Sequence, residues 1–232
     1  MSALKPLADW FGGLPQVILM DLDGTLVDSA ADIALSLNRA LADLGLGAVT
    51  EAQVRDWVGR GAARLIEVAL QHVVPHHAQD PQKHAVETRL LAAFMARYQD
   101  SVCEASTVYP GVAEFVAAAR EAGIRLACVT NKPYRPAVAL LEALNLLDAF
   151  ELVIGGDTLA HKKPHPEPLL HCLRHFEVTA AQALMIGDSR NDVDAAKAAG
   201  VKSLALPYGY NHGEPIEACE PDRLVASLAE LI

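Results

Sequence analysis

The chain has 232 residues, 52% of them hydrophobic, enough to bury one large domain or two modest ones and too apolar for disorder. A net charge of -10, with a pI near 5.3, excludes a groove built to neutralise many nucleic-acid phosphates; a small anionic substrate would need local positive charge. Cys103, Cys128, Cys172 and Cys219 form no Cys-x-x-Cys pair, and neither a signal peptide nor an apolar run of about 18 residues is present. A cytoplasmic protein with no nucleic-acid or membrane partner is therefore expected.

Taken in chain order, the first clear element is the apolar run Val17 to Met20, read as a buried strand that delivers Asp21 and Asp23 at its end. Two carboxylates at i and i+2 on extended chain project to the same side, and they repel unless a cation or a proton lies between them. A hard, oxygen-seeking ion such as Mg²⁺ answers that need. Gly24 permits the chain to leave the strand sharply, and Thr25 offers a hydroxyl.

From Ser29 to about Ser106 the pattern turns Ala/Leu-rich and helical, with apolar i, i+3, i+4 spacing near Asp32 to Leu44, Ala62 to Val73 and Gln82 to Gln99. A β-α rhythm resumes at Pro110-Gly111. Leu126 to Val129 is a second strand running into Thr130-Asn131-Lys132-Pro133, either a helix N-cap or a phosphate cradle of hydroxyl and backbone N–H groups. A weaker strand, Leu152 to Ile154, precedes Lys162 and Lys163; Lys162 reads as solubilising, and Lys163, fixed by Pro164, as the candidate phosphate-binding cation.

Ala183 to Ile186 runs into Gly187-Asp188-Ser189-Arg190-Asn191-Asp192, where Asp188 is placed as a further metal ligand and Asp192 as its outer partner. Ser203 to Leu206 is another strand, and Arg223 to Ile232 reads as a closing helix. Continuous apolar strands alternating with helices predict an α/β fold with a parallel sheet covered on both faces and ligands at the carboxyl ends of its strands. The expected organisation is a discontinuous sheet domain, 1–28 plus 106–232, with a helical cap at 29–105. The groups His171/His175 and His72/His76/His77 read as solvated surface residues, and Tyr208-Gly209-Tyr210 as a tight turn with packed rings.

In this order, the motifs Asp21 to Ser29, Val129 to Pro133, Lys163-Pro164 and Gly187 to Asp192 resemble those of the haloacid dehalogenase-like hydrolases. Gly155 to Thr158, Lys162 to Pro168, Ala195 to Gly200 and Tyr208 to Gly213 look most like the bacterial phosphoglycolate phosphatases within that superfamily. The cap stretch Trp57 to Ala62 resembles that family's substrate-facing loop, with Arg60 where asparagine is usual.

The resemblance implies a Rossmann-like core with an inserted helical cap, a required Mg²⁺, and hydrolysis of 2-phosphoglycolate, a small phosphate ester. It implies Asp21 as nucleophile and Asp23 as acid and base, with Mg²⁺ on the Asp21 carboxylate, the Asp23 carbonyl and Asp188. Gly24, Thr25, Thr130, Asn131 and Lys163 are then expected around the phosphoryl group, Asp192 behind Lys163 or a metal-bound water, and Arg60 with the Gly59 and Gly61 backbone on the substrate carboxylate. Asp23 argues against a dehalogenase, and a predicted cap whose one lysine is Lys83 argues against imine-forming phosphonate chemistry. Monomer and homodimer both remain open.

Overall fold

In a computed structural model, which describes residues 3–232, the N-terminal segment folds into a short helix, α1 (Lys5–Phe11), whose Leu7 is buried in the core. The strand that follows, β1 (Val17–Met20), has no solvent-exposed side chain, as a central parallel strand must. Its alternate residues face opposite ways: Ile18 and Met20 join one apolar cluster, Val17 and Leu19 another.

After β1 the short strand β2 (Val27–Asp28) leads into four helices, α2 (Ala30–Asp43), α3 (Glu51–Trp57), α4 (Ala62–Val73) and α5 (Lys83–Asp100), before β3 (Thr107–Val108) returns antiparallel to β2. The helices between this pair of strands share an apolar cluster of their own, built around Leu37, Leu41, Ile66, Leu70 and Leu90. At roughly 1.5–3 kcal/mol for each large aliphatic side chain fully buried, such a cluster holds the helices together. The buried carboxylate of Asp32 fastens the returning chain by accepting from the Ala105 and Ser106 amides and the Ser106 hydroxyl. The helix α3 lies outside the apolar periodicity of the sequence; it is too short for a stripe and rests on a Thr50/Gln53 capping box.

The remaining chain alternates helix and strand: α6 (Val112–Glu121), β4 (Arg125–Val129), α7 (Tyr134–Ala143), β5 (Leu152–Ile154), α8 (Glu167–Phe176), β6 (Ala183–Gly187), α9 (Arg190–Ala199), β7 (Lys202–Ala205) and β8 (Arg223–Leu224). The sheet order is β5-β4-β1-β6-β7-β8 and all pairings are parallel. The order reverses around β1, so the crevice for a ligand opens beyond the carboxyl ends of β1, β4 and β6.

The expected closing helix at Arg223 to Ile232 is corrected to the edge strand β8 and a 3-10 turn at Leu228–Leu231. The Val225 amide donates to the Ala205 carbonyl and the Ser227 hydroxyl accepts from the Ala229 amide, so sheet pairing and a local cap take the groups that a helix would have used. Among the described residues no helix is long and apolar enough to cross a membrane.

Candidate active site

Asp21 directly follows β1, and its amide extends the ladder by donating to the Ile186 carbonyl at 3.0 Å. Its Oδ1 accepts from the Leu22 amide (2.7 Å) and lies 3.1 Å from Lys163 Nζ. Lys163 is fully enclosed, and its ammonium also donates to Asp192 Oδ1 (2.6 Å) and the Val129 carbonyl (2.5 Å), so three acceptors meet its three hydrogens. The other oxygen of Asp192 accepts from the Ser189 amide (3.0 Å) and hydroxyl (2.8 Å) as the capping box of α9. One carboxylate thus starts a helix and orients the buried lysine.

Asp188 is held from both sides: Thr25 Oγ1 donates to its Oδ1 at 2.5 Å and the Tyr210 amide to its Oδ2 at 2.6 Å. Two glycines make room for it, since a Cβ on Gly24 or on Gly209 would stand 2.3 Å from Asp188 Oδ2. Gly24 has φ +88°, so both the turn and the close approach demand glycine there. Gly24 and Thr25, expected around the phosphoryl group, also wall in and bond to Asp188.

Carboxylate oxygens of Asp21, Asp188 and Asp192 lie within 4.8 Å of one another. Burial is the largest influence on Asp21, with Asp192 and Asp23 adding to it; together they outweigh Lys163 and push the carboxyl up to about 7. Burial first, then Asp192 and Asp21, raise Asp188 well above the usual carboxylate range. With Asp23, four carboxylates face two ammonium groups, Lys163 and Lys132, an excess of two negative charges once all four are ionised. Oxygen donors carrying that excess fit a hard divalent cation such as Mg²⁺.

Asp23 carries a partnership that sequence reasoning missed. Lys132 Nζ donates to both of its oxygens, at 2.9 and 3.0 Å, and the Ser29 hydroxyl donates to Oδ1 at 2.6 Å. The Lys132 ammonium also lies 4.6 Å from the centroid of the Tyr98 ring. Burial alone would lower the Lys132 pKa, but Asp23 and Tyr98 outweigh it and hold the ammonium charged. Lys132 stands inside the Thr130 to Pro133 motif and Ser29 at the end of the Asp21 to Ser29 motif, signals available in the sequence; Tyr98 on α5 carries none.

A cavity of about 50 Å³ lies between the sheet's rim and the helical insertion. From below it is lined by Asp21, Asp23, Thr130, Asn131 and Lys132; from above, the Gly59 and Gly61 loop, Phe94 and Tyr98 enclose it. Asn131 Nδ2 donates to the Gly59 and Lys163 carbonyls, both at 2.9 Å, and Asn191 Nδ2 reaches the same Gly59 carbonyl at 3.1 Å. Thr130 Oγ1 accepts from the Lys132 amide, at 3.1 Å.

Arg60, expected on the substrate carboxylate, is exposed and is absent from the cavity lining; its carbonyl accepts from Lys162 Nζ at 2.8 Å. Lys162, read as merely solubilising, thus ties the loop to the core. His77 is corrected from a solvated residue to a buried one, facing Glu87 at 3.1 Å where the chain folds back between α4 and α5. Tyr210 does more than pack in a turn: its hydroxyl accepts from the Ser29 amide and donates to Asp28.

The family model described as haloacid dehalogenase-like hydrolase matches residues 18–206. A phosphoglycolate phosphatase from Nitrosococcus oceani is 44% identical over 217 residues, 94% of this chain and 95% of that one. The crystal structure of a predicted phosphoglycolate phosphatase from Haemophilus somnus superposes with a TM-score of 0.85 at 34% identity, covering 93% of this chain and 96% of that one. A variant of CbbY from Rhodobacter sphaeroides, in complex with xylulose-1,5-bisphosphate, superposes with a TM-score of 0.78 at 28% identity, covering 94% and 96%.

With a parallel sheet that gathers these acids and lysines at one rim, the chain belongs to the haloacid dehalogenase-like hydrolases. Within them it is a phosphatase, a phosphoric monoester hydrolase.

Proposed function

We propose that this phosphatase is a Mg²⁺-dependent phosphoglycolate phosphatase, hydrolysing 2-phosphoglycolate to glycolate and phosphate through an aspartyl phosphate on Asp21. The observation that carries the reading is the cavity beneath the helical insertion, where the nucleophile, a second carboxylate and one ammonium meet. The name of the 44% identical relative, a phosphoglycolate phosphatase, supports that substrate over a sugar bisphosphate.

An Asp21 oxygen attacks phosphorus as the bond to the glycolate oxygen breaks, and Asp23 gives a proton to that leaving oxygen. A water molecule then attacks the phosphorus of the aspartyl phosphate, Asp23 accepts its proton, and phosphate departs with the Asp21 carboxylate restored. Lys163, fixed by Asp192 and Val129, balances charge beside Asp21 throughout. Asp21, Asp188 and the Asp23 carbonyl would hold Mg²⁺, with Asp192 alongside, and the bound ion supplies charge neutralisation between the nucleophile and the incoming phosphate.

Residues 29–105 act in this reading as a cap that excludes water from the reaction, with 1–28 and 106–232 as the catalytic core. A reducing cytoplasm suits the four unpaired cysteines, of which Cys128, Cys172 and Cys219 are buried.

Phosphate release from 2-phosphoglycolate, glucose 1-phosphate and xylulose-1,5-bisphosphate, with and without Mg²⁺, tests the reading. Preference for phosphoglycolate that requires Mg²⁺ and falls by about 10³-fold or more in Asp21→Asn is expected. Preference for either sugar phosphate would overturn the substrate, and full activity of Asp21→Asn the nucleophile.

A further inference from the structure

We infer that Lys132 is the group that recognises the substrate's second anion, and that its engagement there loosens its hold on Asp23. The inference rests on the substrate class proposed above and assigns the recognition to a residue that the sequence motifs left without a role.

Among the described residues, Lys132 is the one cationic side chain that lines the cavity. The other positive charges nearby are committed elsewhere: Lys163 to Val129, Asp192 and Asp21, Lys162 to the Arg60 carbonyl, while Arg60 itself is exposed. The Lys132 side chain is 4% exposed, so its ammonium has little water to solvate it and takes its compensation from Asp23 and from the Tyr98 ring.

Its position matches the chemistry of a short substrate. The leaving oxygen must lie beside Asp23, which protonates it, and in 2-phosphoglycolate the carboxylate is one methylene from that oxygen. An ammonium 2.9 Å from Asp23 is therefore where the carboxylate of a phosphorylated 2-hydroxy acid arrives. A sugar bisphosphate carries its second anion several bonds further off and would need its cation deeper in the helical insertion, and a sugar monophosphate has no second anion at all. Among the described residues lining the cavity on that side, Val58, Leu65, Phe94 and Met95 are uncharged.

The same contact gives recognition a consequence for the reaction. Lys132 now occupies both oxygens of Asp23. An ammonium has three hydrogens, enough to serve two carboxylates, so a bound substrate carboxylate draws one of them away and frees an Asp23 oxygen for proton transfer. An ester without the second anion leaves Asp23 clasped. Discrimination then appears in turnover as well as in binding, which is how a small cavity with few contacts separates a two-carbon acid from other monoesters.

The test compares 2-phosphoglycolate with ethyl phosphate, which replaces the carboxylate by a methyl group, in the wild type, Lys132→Met and Lys132→Arg, with Mg²⁺ saturating. The ratio of the two kcat/KM values is expected to favour phosphoglycolate in the wild type and to fall by about 10²-fold or more in Lys132→Met. Inhibition by glycolate should weaken in parallel. Near-UV circular dichroism checks folding; should Lys132→Met not fold, a fall of the ratio in Lys132→Arg, which keeps the charge but moves it, supports the inference. A wild-type ratio retained in a folded Lys132 variant overturns it while leaving the proposed substrate intact. A wild type that treats both esters alike overturns the substrate itself, and the role of Lys132 with it.

Discussion

Replacing Gly209 by alanine tests whether Asp188 is positioned by the shape of the backbone around it. The new Cβ would stand 2.3 Å from Asp188 Cβ and Oδ2 and 2.4 Å from its Cγ, whereas ordinary contacts begin near 3.4 Å. The groups must therefore part by about 1 Å, and a displacement of that size at a reacting site costs on the order of 10²-fold in rate. Gly209 has no positive φ, so the substitution adds little backbone strain and its effect reports the collision. Asp188 cannot retreat freely, because the Thr25 hydroxyl at 2.5 Å and the Tyr210 amide at 2.6 Å hold its two oxygens. Losing either charge-assisted bond costs about 1.5–3 kcal/mol.

The assay is a Mg²⁺ titration of phosphatase activity. Gly209→Ala should need at least about tenfold more Mg²⁺ for half-maximal activity and lose about 10²-fold in kcat/KM. Gly47→Ala serves as the control, since its added Cβ meets nothing within 4 Å and should leave both quantities unchanged. A Gly209→Ala enzyme with wild-type Mg²⁺ demand and kcat/KM would refute the reasoning, because Asp188 would then tolerate a 1 Å shift without consequence.

Two further predictions concern stability. Because four carboxylates share the site with two ammonium groups, Mg²⁺ at 100 times its Kd should stabilise the fold by about 2.7 kcal/mol and raise Tm by roughly 5–10 °C in differential scanning fluorimetry. Asp188→Asn should lose most of that shift, and an equal shift in the variant would remove Asp188 from the metal site. Burial alone would raise the Asp28 carboxyl, but hydrogen bonds from Arg55 and Tyr210 outweigh it and hold its pKa below the usual value. A depressed carboxylate contributes stability above its unfolded pKa, near 4, and loses it as pH falls through the lower folded value. Thermal melts from pH 5 down to pH 2 should therefore show a steeper decline for the wild type than for Asp28→Asn; parallel curves would show that this contact carries no pH-dependent stability.

What the sequence determines by itself is the alternation of buried strands with helices and the acids and lysine at their ends. Val17 to Met20, Leu126 to Val129 and Ala183 to Ile186 are apolar runs followed at once by polar residues, and in a parallel sheet those ends converge on one rim. Asp21, Asp23, Thr130, Asn131, Asp188 and Asp192 come together for that reason, and Lys163 reaches them from the loop after β5. The helical insertion was legible because amphipathic spacing persists through α2, α4 and α5.

The tertiary structure decides which partner each group takes, because a residue's neighbours across space leave no local pattern in the chain. Thr25 turns to Asp188, Lys132 reaches Asp23 beneath Tyr98, and the loop between α3 and α4 meets Asn191 and Lys162 through the Gly59 and Arg60 carbonyls while the Arg60 side chain stays exposed. Periodicity registers burial averaged along an element. Ion pairing between residues 109 positions apart, as in Asp23 and Lys132, depends on how separate elements are packed.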